Sequence, residues 1–320
     1  MKNPDTGHSA AITTPVLSVV VPVYNGAESV GELVALLSGL KVDGGMEIIL
    51  VNDCSPDNSL SVCHSLMETT KIPLVVVNLS RNFGEHNAVM AGYSVARGDY
   101  IINMDDDLQN PPEEVLNLLN YTRENGFDVV YTRYAAKEHE SWRNLGSRFT
   151  NWCADHLLDK PKGLYLSSFR CVSAFVAKEV LTHTGPFPYV DGLIMQVTQN
   201  IGSLTVEHLP RKTGQSNYTL ARLMRLFLSM FLNFSVIPLR FATAFGSLIA
   251  LVGILAFGYV FLEALFSDTP QGWASIMAAL LLLSGVQLIM LGVIGEYLGR
   301  MFLTTNQRPQ FVVRDVKKNF

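Results

Sequence analysis

Two stretches almost without charge set the first limit on how this chain can fold. Residues 241–266 and 273–295 are 26 and 23 residues long and share one charged side chain, Glu263. A helix needs roughly 20 apolar residues to cross a bilayer core, so each run is long enough. The link between them, 267–272 (Ser-Asp-Thr-Pro-Gln-Gly), has room only for a hairpin turn. Arg240 precedes the first run, and Arg300, Arg308, Arg314, Lys317 and Lys318 follow the second, while the turn has no Lys or Arg. The positive-inside rule then puts both ends of the hairpin in the cytoplasm. Gly246, Ala250 and Gly253 on one run, and Gly292, Gly295 and Gly299 on the other, would let the two helices approach closely. Of all residues, 48% are hydrophobic and 16% charged, which is too apolar for a soluble enzyme unless the excess is gathered in such a hairpin.

The residues before it read as an ordinary soluble α/β protein. Val16–Val23, Met46–Asn52, Leu74–Leu79, Tyr100–Met104 and Phe127–Tyr131 are β-branched or apolar runs of strand length. Helical patterns lie between them, over Ala27–Leu40, from Ser55–Ser59 through Glu68, and over Glu85–Arg97. Pro111 and Pro112 fall in the first turn of another helix. This alternation predicts a doubly wound, mostly parallel sheet. Further on the pattern weakens: helices are expected over Ser141–Leu158, Phe175–Thr184 and Val190–Ile201, an extended segment over Leu164–Phe169 and a strand over Leu204–His208. A basic loop, Arg211–Tyr218, leads to residues 219–236, whose apolar side chains recur at helical spacing opposite Arg222 and Arg225. Such a helix lies in a membrane interface or packs into a core. The divisions are therefore a tail at 1–15, a catalytic domain at 16–216, a juxtamembrane helix at 217–237, the hairpin at 238–303 and a cytoplasmic tail at 304–320.

A net charge of −4 argues against nucleic acid as a partner. Cys54, Cys63, Cys153 and Cys171 have neither metal-ligand nor disulfide-framework spacing, so free thiols in a reducing compartment are expected. Met1–Pro15 is polar and lacks the apolar core of a cleaved signal.

The early strands end in polar residues: Tyr24 and Asn25, Asp53, Arg81 and Asn82, and Asp105, Asp106 and Asp107. In an open α/β sheet these ends line one crevice, where ligands bind. Neither G-x-G-x-x-G nor G-K-[ST] is present, so a nucleotide there would be held through carboxylates and a metal. On a strand Asp105 and Asp107 share a face while Asp106 points elsewhere. Two hard oxygen ligands with space for water and phosphate suit Mg²⁺ or Mn²⁺. The plainer alternatives are an acidic turn that caps the next helix, an Asp53 that caps its own helix, and an Arg81–Asn82 pair that only orders a loop.

Four strings, Val-Pro-Val-Tyr-Asn at 21–25, Val-Asn-Asp at 51–53, Ser-Arg-Asn-Phe-Gly at 80–84 and Asp-Asp-Asp-Leu-Gln-Asn-Pro-Pro at 105–112, resemble the inverting family 2 glycosyltransferases. Gly-Val-Ile-Gly-Glu-Tyr-Leu-Gly-Arg at 292–300 and Gln-Arg-Pro-Gln-Phe-Val-Val at 307–313 narrow this to the polyprenyl-phosphate glycosyltransferases, such as bactoprenol glucosyltransferases and undecaprenyl-phosphate aminoarabinose transferases. The resemblance implies a GT-A fold, a UDP-sugar donor, a divalent metal and a polyprenyl phosphate acceptor at the cytoplasmic face of a bacterial inner membrane. It implies that Asp105 and Asp107 meet metal and diphosphate, and that Asp53 faces the uracil. Pro22, Tyr24, Asn25, Arg81 and Asp106 would be further nucleotide-pocket positions, with Arg211 near the diphosphate. Arg222, Arg225, Arg240 and Arg300 are the candidates for the acceptor phosphate, and a homo-oligomer, by family a tetramer, is expected.

The sequence also departs from that pattern. Ser168 stands where relatives carry the aspartate proposed as catalytic base, Gly26 replaces a glutamate, and Asn217 a lysine. A phosphate acceptor is already largely dianionic near neutral pH, so Ser168 is expected to position a group or touch the sugar rather than take a proton. Rival readings are a processive polysaccharide synthase, a sugar-1-phosphate transferase releasing UMP, and a silent membrane scaffold or flippase accessory.

Overall fold

The computed structural model describes residues 14–134, 161, 163–186, 188–207, 244–246, 248–249, 251–252, 255, 272–306 and 309–320. The expected helices at Ser141–Leu158 and 219–236 lie outside these residues, as do the basic loop, most of the first apolar run, and Cys153, Arg211, Arg222, Arg225 and Arg240. The Arg300 side chain also lies outside the description. The chain divides into two units, 1–217 with 309–320, and 218–308.

The first unit is built on one eight-stranded sheet. Its first four strands are β1 (Leu17–Val23), β2 (Met46–Asn52), β3 (Leu74–Leu79) and β4 (Tyr100–Asn103). These pair in parallel, β1 with β2, β2 with β3, and β1 with β4. Three helices are interposed: α1 (Val30–Ser38), α2 (Ser59–Thr69) and α3 (Glu85–Val95). Every residue of β2 and β3 is buried, because helices cover both faces of a parallel sheet. Even Glu47 is fully buried, its charge paired with Arg97 at 2.7 Å while it accepts a hydrogen bond from the Ser18 hydroxyl at 2.7 Å.

After α4 (Glu113–Asn125) the order becomes irregular. β5 (Val129–Tyr134), β6 (Arg170–Ser173) and β7 (Ile201–Val206) give the sheet order β7-β5-β6-β4-β1-β2-β3-β8. β6 runs antiparallel between β4 and β5. Between β6 and β7 lie α5 (Ala174–Val180) and α6 (Val190–Val197). Two expectations need correction here. The strand starts at Arg170, after the segment expected to be extended, because that buried guanidinium finds a tertiary partner that the local sequence cannot reveal. The helix from Val190 stops at Val197, and Ile201–Val206 becomes a strand parallel to β5. The C-terminal residues also return to the sheet: β8 (Val313–Lys318) pairs antiparallel with β3 as an edge strand.

In the second unit, α7 (Trp273–Thr305) is a continuous 33-residue helix. Gly246 faces it: an added Cβ would come within 2.5 Å of the Met290 methyl, so the missing side chain permits the approach. At Gly292, Gly295 and Gly299 a Cβ would meet nothing within 4 Å among the described residues, so no close contact is seen at these three. Taken over the described residues, no helix is long and apolar enough to cross a membrane. The expected hairpin, whose side chains are described only in part, therefore belongs to the proposal below.

Candidate active site

The chain leaves β1 toward β2 and β3 on one side, then crosses back to place β4 on the other. The crack between the carboxyl ends of β1 and β4 is thus a topological switch point, where open sheets bind ligands. Pro22 helps to open it. β1–β4 pairing ends at Val20 and Asn103, and the Met104 N–H reaches back to the Val20 carbonyl. Pro22, two residues on, turns the same edge to β4 and offers no N–H, so the ladder stops and the strands part.

Three non-glycine residues adopt a left-handed backbone among those described: Asn25 (φ 58°), Cys54 (φ 53°) and Leu108 (φ 59°). All follow carboxyl ends of strands at this crevice, which is where such strain collects at functional sites. Asn25 tolerates the conformation easily; Leu108 is held in it by burial of its side chain.

Asp105, Asp106 and Asp107 are half-buried in the turn after β4. Asp105 accepts a 2.6 Å hydrogen bond from the Ser168 hydroxyl, and Asp107 accepts one from the Gln109 amide at 3.2 Å. Asp106 is turned onto Gly26, where an added Cβ would stand 1.9 Å from its Oδ2. Gly26→Ala therefore displaces the middle carboxylate of the cluster. About a 10²-fold loss in kcat/KM is expected, since ångström-scale misplacement at a reacting centre costs that much. Retained circular dichroism would exclude unfolding as the cause, and wild-type kinetics would refute the steric argument.

Opposite this cluster, Asp53 is only 3% exposed. Burial pushes its carboxyl pKa up, against the pull of the Phe83 and Gly84 amides, which donate to its two oxygens at 2.7 and 2.8 Å. Asp53 thus holds the loop that starts α3, two residues from Arg81. The Arg81 guanidinium is exposed and stacks 4.5 Å over the Phe83 ring. Each Asp53 oxygen keeps a second lone pair for a ligand. Tyr24 lies 50% exposed at the mouth.

Ser168 owes its place to a buried polar scaffold that the sequence reading missed. Arg170, 3% exposed, pairs with Asp191 at 2.8 Å and donates to the Ser167 carbonyl at 3.3 Å. Burial opposes the guanidinium charge, but the adjoining Asp191 carboxylate, together with Tyr93 and Tyr131, more than offsets it and holds the pKa above its ordinary value. Tyr131 donates to the same Asp191 oxygen at 2.9 Å and stays neutral, burial and then Asp191 pushing its pKa well up. Thr132 bonds the Phe169 carbonyl at 2.7 Å, and the Tyr134 hydroxyl donates to Asn110 at 3.1 Å, tying this side to the acidic turn. The one signal in the sequence is a charged residue set within the apolar run Phe169-Arg170-Cys171-Val172. The Cys63 and Cys171 thiols are raised to about 12, by burial first and at Cys63 also by Asp106, so neither serves as a nucleophile at neutral pH.

Among the described residues no three His, Cys, Asp or Glu side chains converge on one point. Asp105 and Asp107, next but one to each other in the turn after β4, offer hard carboxylate oxygens. That fits a hard divalent cation which completes its shell with phosphate oxygens and water, as Mg²⁺ does beside phosphates.

The profile described as glycosyl transferase family 2 matches residues 18–182, just over half of the 320. The chain belongs to that family. Its sheet is the GT-A, Rossmann-like, mostly parallel sheet expected of a member. A second profile, described as the GtrB C-terminal hairpin, matches residues 237–301. The chain is 31% identical over 308 residues to the undecaprenyl-phosphate 4-deoxy-4-formamido-L-arabinose transferase of Pseudomonas syringae, covering 95% of this chain and 91% of that one. It is 32% identical over 305 residues to the protein of the same description in Yersinia enterocolitica, with 94% and 93% covered. Among solved structures, glucosyl-3-phosphoglycerate synthase of Mycobacterium tuberculosis with Mn²⁺, UDP and glucosyl-3-phosphoglycerate aligns at 17% identity and a TM-score of 0.49, covering 68% of this chain and 78% of that one.

Proposed function

We propose that this glycosyltransferase moves one sugar from a UDP-sugar to polyprenyl phosphate, undecaprenyl phosphate in a bacterial inner membrane, and releases UDP. The observation that carries the reading is likeness to undecaprenyl-phosphate sugar transferases over nine-tenths of both chains. The carboxylate-lined switch point supports it as a donor site.

In this reading Asp53, Tyr24, Asn25, Pro22 and Arg81 line the nucleotide end, with Asp106 packed on Gly26 beneath. Asp105 and Asp107 would hold Mg²⁺ or Mn²⁺ against the diphosphate. A bound cation supplies charge neutralisation for the leaving UDP. An acceptor phosphate oxygen attacks the anomeric carbon from the face opposite the diphosphate, the bond to the UDP oxygen breaks, and the configuration inverts. No protein base is needed, because the attacking phosphate is already anionic. Ser168 spends its proton on Asp105 at 2.6 Å, which suits a residue that orients a carboxylate and not one that deprotonates a substrate. Arg211 is assigned to the diphosphate, and Arg222, Arg225, Arg240 and Arg300 are the candidate acceptor-phosphate cations.

The apolar runs at 241–266 and 273–295 are assigned to a membrane hairpin with both termini cytoplasmic. α7 extends about 50 Å at 1.5 Å per residue, more than a hydrocarbon core requires. Leu288 and Ile289 on it are each 70% exposed, apolar surface that lipid would cover. A homotetramer remains the family-based expectation.

The test incubates purified protein with undecaprenyl phosphate, Mn²⁺ and a panel of UDP-sugars, with lipid and nucleotide products read by mass. One polyprenyl-phosphate monosaccharide with UDP is expected. UMP as the nucleotide product would transfer the protein to the sugar-phosphate transferases, and Mn²⁺-dependent UDP binding without any product would favour a silent scaffold. Ser168→Ala is expected to lower kcat about tenfold by loosening Asp105, the scale of one lost hydrogen bond to a charged group. Ser168→Asp should also lower it, by setting a second carboxylate against Asp105; a gain of orders of magnitude would establish proton abstraction instead.

A further inference from the structure

A row of polar side chains crosses three strands at the carboxyl ends of β2 and β3. Asn52 on β2 stands opposite Asn78 on β3, and Asn78 stands opposite Asp315 on β8. The Asn78 amide nitrogen donates to an Asp315 oxygen at 2.9 Å, and the Asn52 amide nitrogen donates to the Asn78 oxygen at 3.0 Å. The Asn52 oxygen then accepts from the Ser55 backbone amide at 3.3 Å. Ser55 in turn accepts from the Asn25 amide at 3.3 Å and donates to the Val23 carbonyl at 3.3 Å.

The direction of this row is set at one end. An amide side chain can present either its oxygen or its nitrogen, whereas an ionised carboxylate only accepts. Asp315 therefore draws the Asn78 nitrogen toward β8, which leaves the Asn78 oxygen to draw the Asn52 nitrogen. The Asn52 oxygen is thereby left facing Ser55. Asn52 and Asn78 are both buried, so reversed amides would set acceptor against acceptor at Asp315 and donor against donor at Ser55, without water to relieve them. The residue just before β8 also fixes the neighbouring loop: the Ser80 amide donates to the Val312 carbonyl at 2.9 Å, beside Arg81.

We infer that Asp315, at the far C-terminal end of the chain, is a positioning residue for the donor nucleotide, acting through Asn78 and Asn52 on the loops that carry Tyr24, Asn25 and Asp53. The inference rests on the reading of this crevice as a UDP-sugar site. It gives the final strand a role in donor recognition beyond closing the sheet edge.

The test uses the full-length protein in detergent. Asp315→Asn keeps the shape of the side chain but lets the row reverse. Its KM for UDP-sugar, and its dissociation constant for UDP with Mn²⁺ by calorimetry, are expected to rise about tenfold, the scale of one hydrogen bond to a charged partner. The KM for undecaprenyl phosphate stays at the wild-type value. The exchange variant Asn78→Asp/Asp315→Asn puts the acceptor in the middle of the row, where it still receives the Asn52 nitrogen. It is expected to restore donor affinity.

Asn319→Ala serves as the structural control. Asn319 anchors β8 through its nitrogen to the Ile72 carbonyl at 3.1 Å and its oxygen to the Leu74 amide at 2.8 Å, without touching the row. Its loss should lower Tm and leave the donor KM alone. Unchanged UDP affinity in Asp315→Asn overturns the inference, as does an exchange variant no better than the single one, or an equal donor defect in Asn319→Ala. A wild-type protein that binds no UDP overturns the functional reading and this role together, whereas binding that ignores Asp315 overturns this role alone.

Discussion

Asp107→Asn is expected to lower kcat/KM by about 10³-fold or more, the scale on which losing a group that stabilises transition-state charge is felt. The substitution keeps size and hydrogen-bonding shape. The Gln109 amide, which donates to Asp107 at 3.2 Å, can donate equally well to an asparagine oxygen, so the turn is preserved. What is lost is one negative charge from the two carboxylates proposed to hold the cation, and among the described residues no group of three acidic, cysteine or histidine side chains is present to compensate. Because Asp107 is only half-buried, Tm is expected to stay near that of the wild type. Calorimetry of UDP with and without Mn²⁺ separates binding from chemistry. Asp107→Asn protein that keeps metal-dependent UDP affinity and a tenth or more of its activity would remove Asp107 from the metal site.

Asp191→Ala is expected to destabilise the catalytic domain by about 3–5 kcal/mol, the range found when one partner of a buried ion pair is removed. The remaining Arg170 is 3% exposed and would keep a charge with no carboxylate beside it. Tyr131 would also lose the acceptor for its buried hydroxyl. Against a typical total stability of about 5–15 kcal/mol this is a large fraction. Denaturant unfolding of the purified protein measures it. Replacing both members, Arg170→Met with Asp191→Leu, is expected to recover much of the loss, since apolar residues of similar volume often serve as well as a buried pair. Activity should not recover with it, because the guanidinium also grips the Ser167 carbonyl beside Ser168. Recovery of both would reduce the pair to simple packing, and a cost below about 1 kcal/mol would show that water reaches Arg170.

Several parts of this protein could be read from local order alone. β1 to β4 announce themselves because a strand buried on both faces must be apolar throughout, and Val-Leu-Ser-Val-Val-Val-Pro-Val or Met-Glu-Ile-Ile-Leu-Val-Asn has few other uses. The crevice follows from those strands, since parallel order brings their carboxyl ends to one side and leaves Tyr24, Asp53, Arg81 and Asp105–Asp107 together. Family membership is equally local, carried by short strings of residues around the same strand ends.

Contacts between residues far apart in the chain were a different matter. Arg170 begins a central strand because Asp191, 21 residues on, offsets its charge; a buried guanidinium is otherwise too costly to expect. Helix propensity after Val190 yields to β5, which offers Ile201–Val206 a parallel partner. Ser168 acquires its meaning from Asp105, 63 residues earlier, and Gly26 from the Asp106 carboxylate lying over it. The last strand joins β3 across 237 residues from Asn78 to Asp315, a pairing that periodicity cannot foresee. Short-range patterns report what a segment must bury. Which partner neutralises a buried charge, or completes a sheet edge, depends on segments that meet only once the chain is folded.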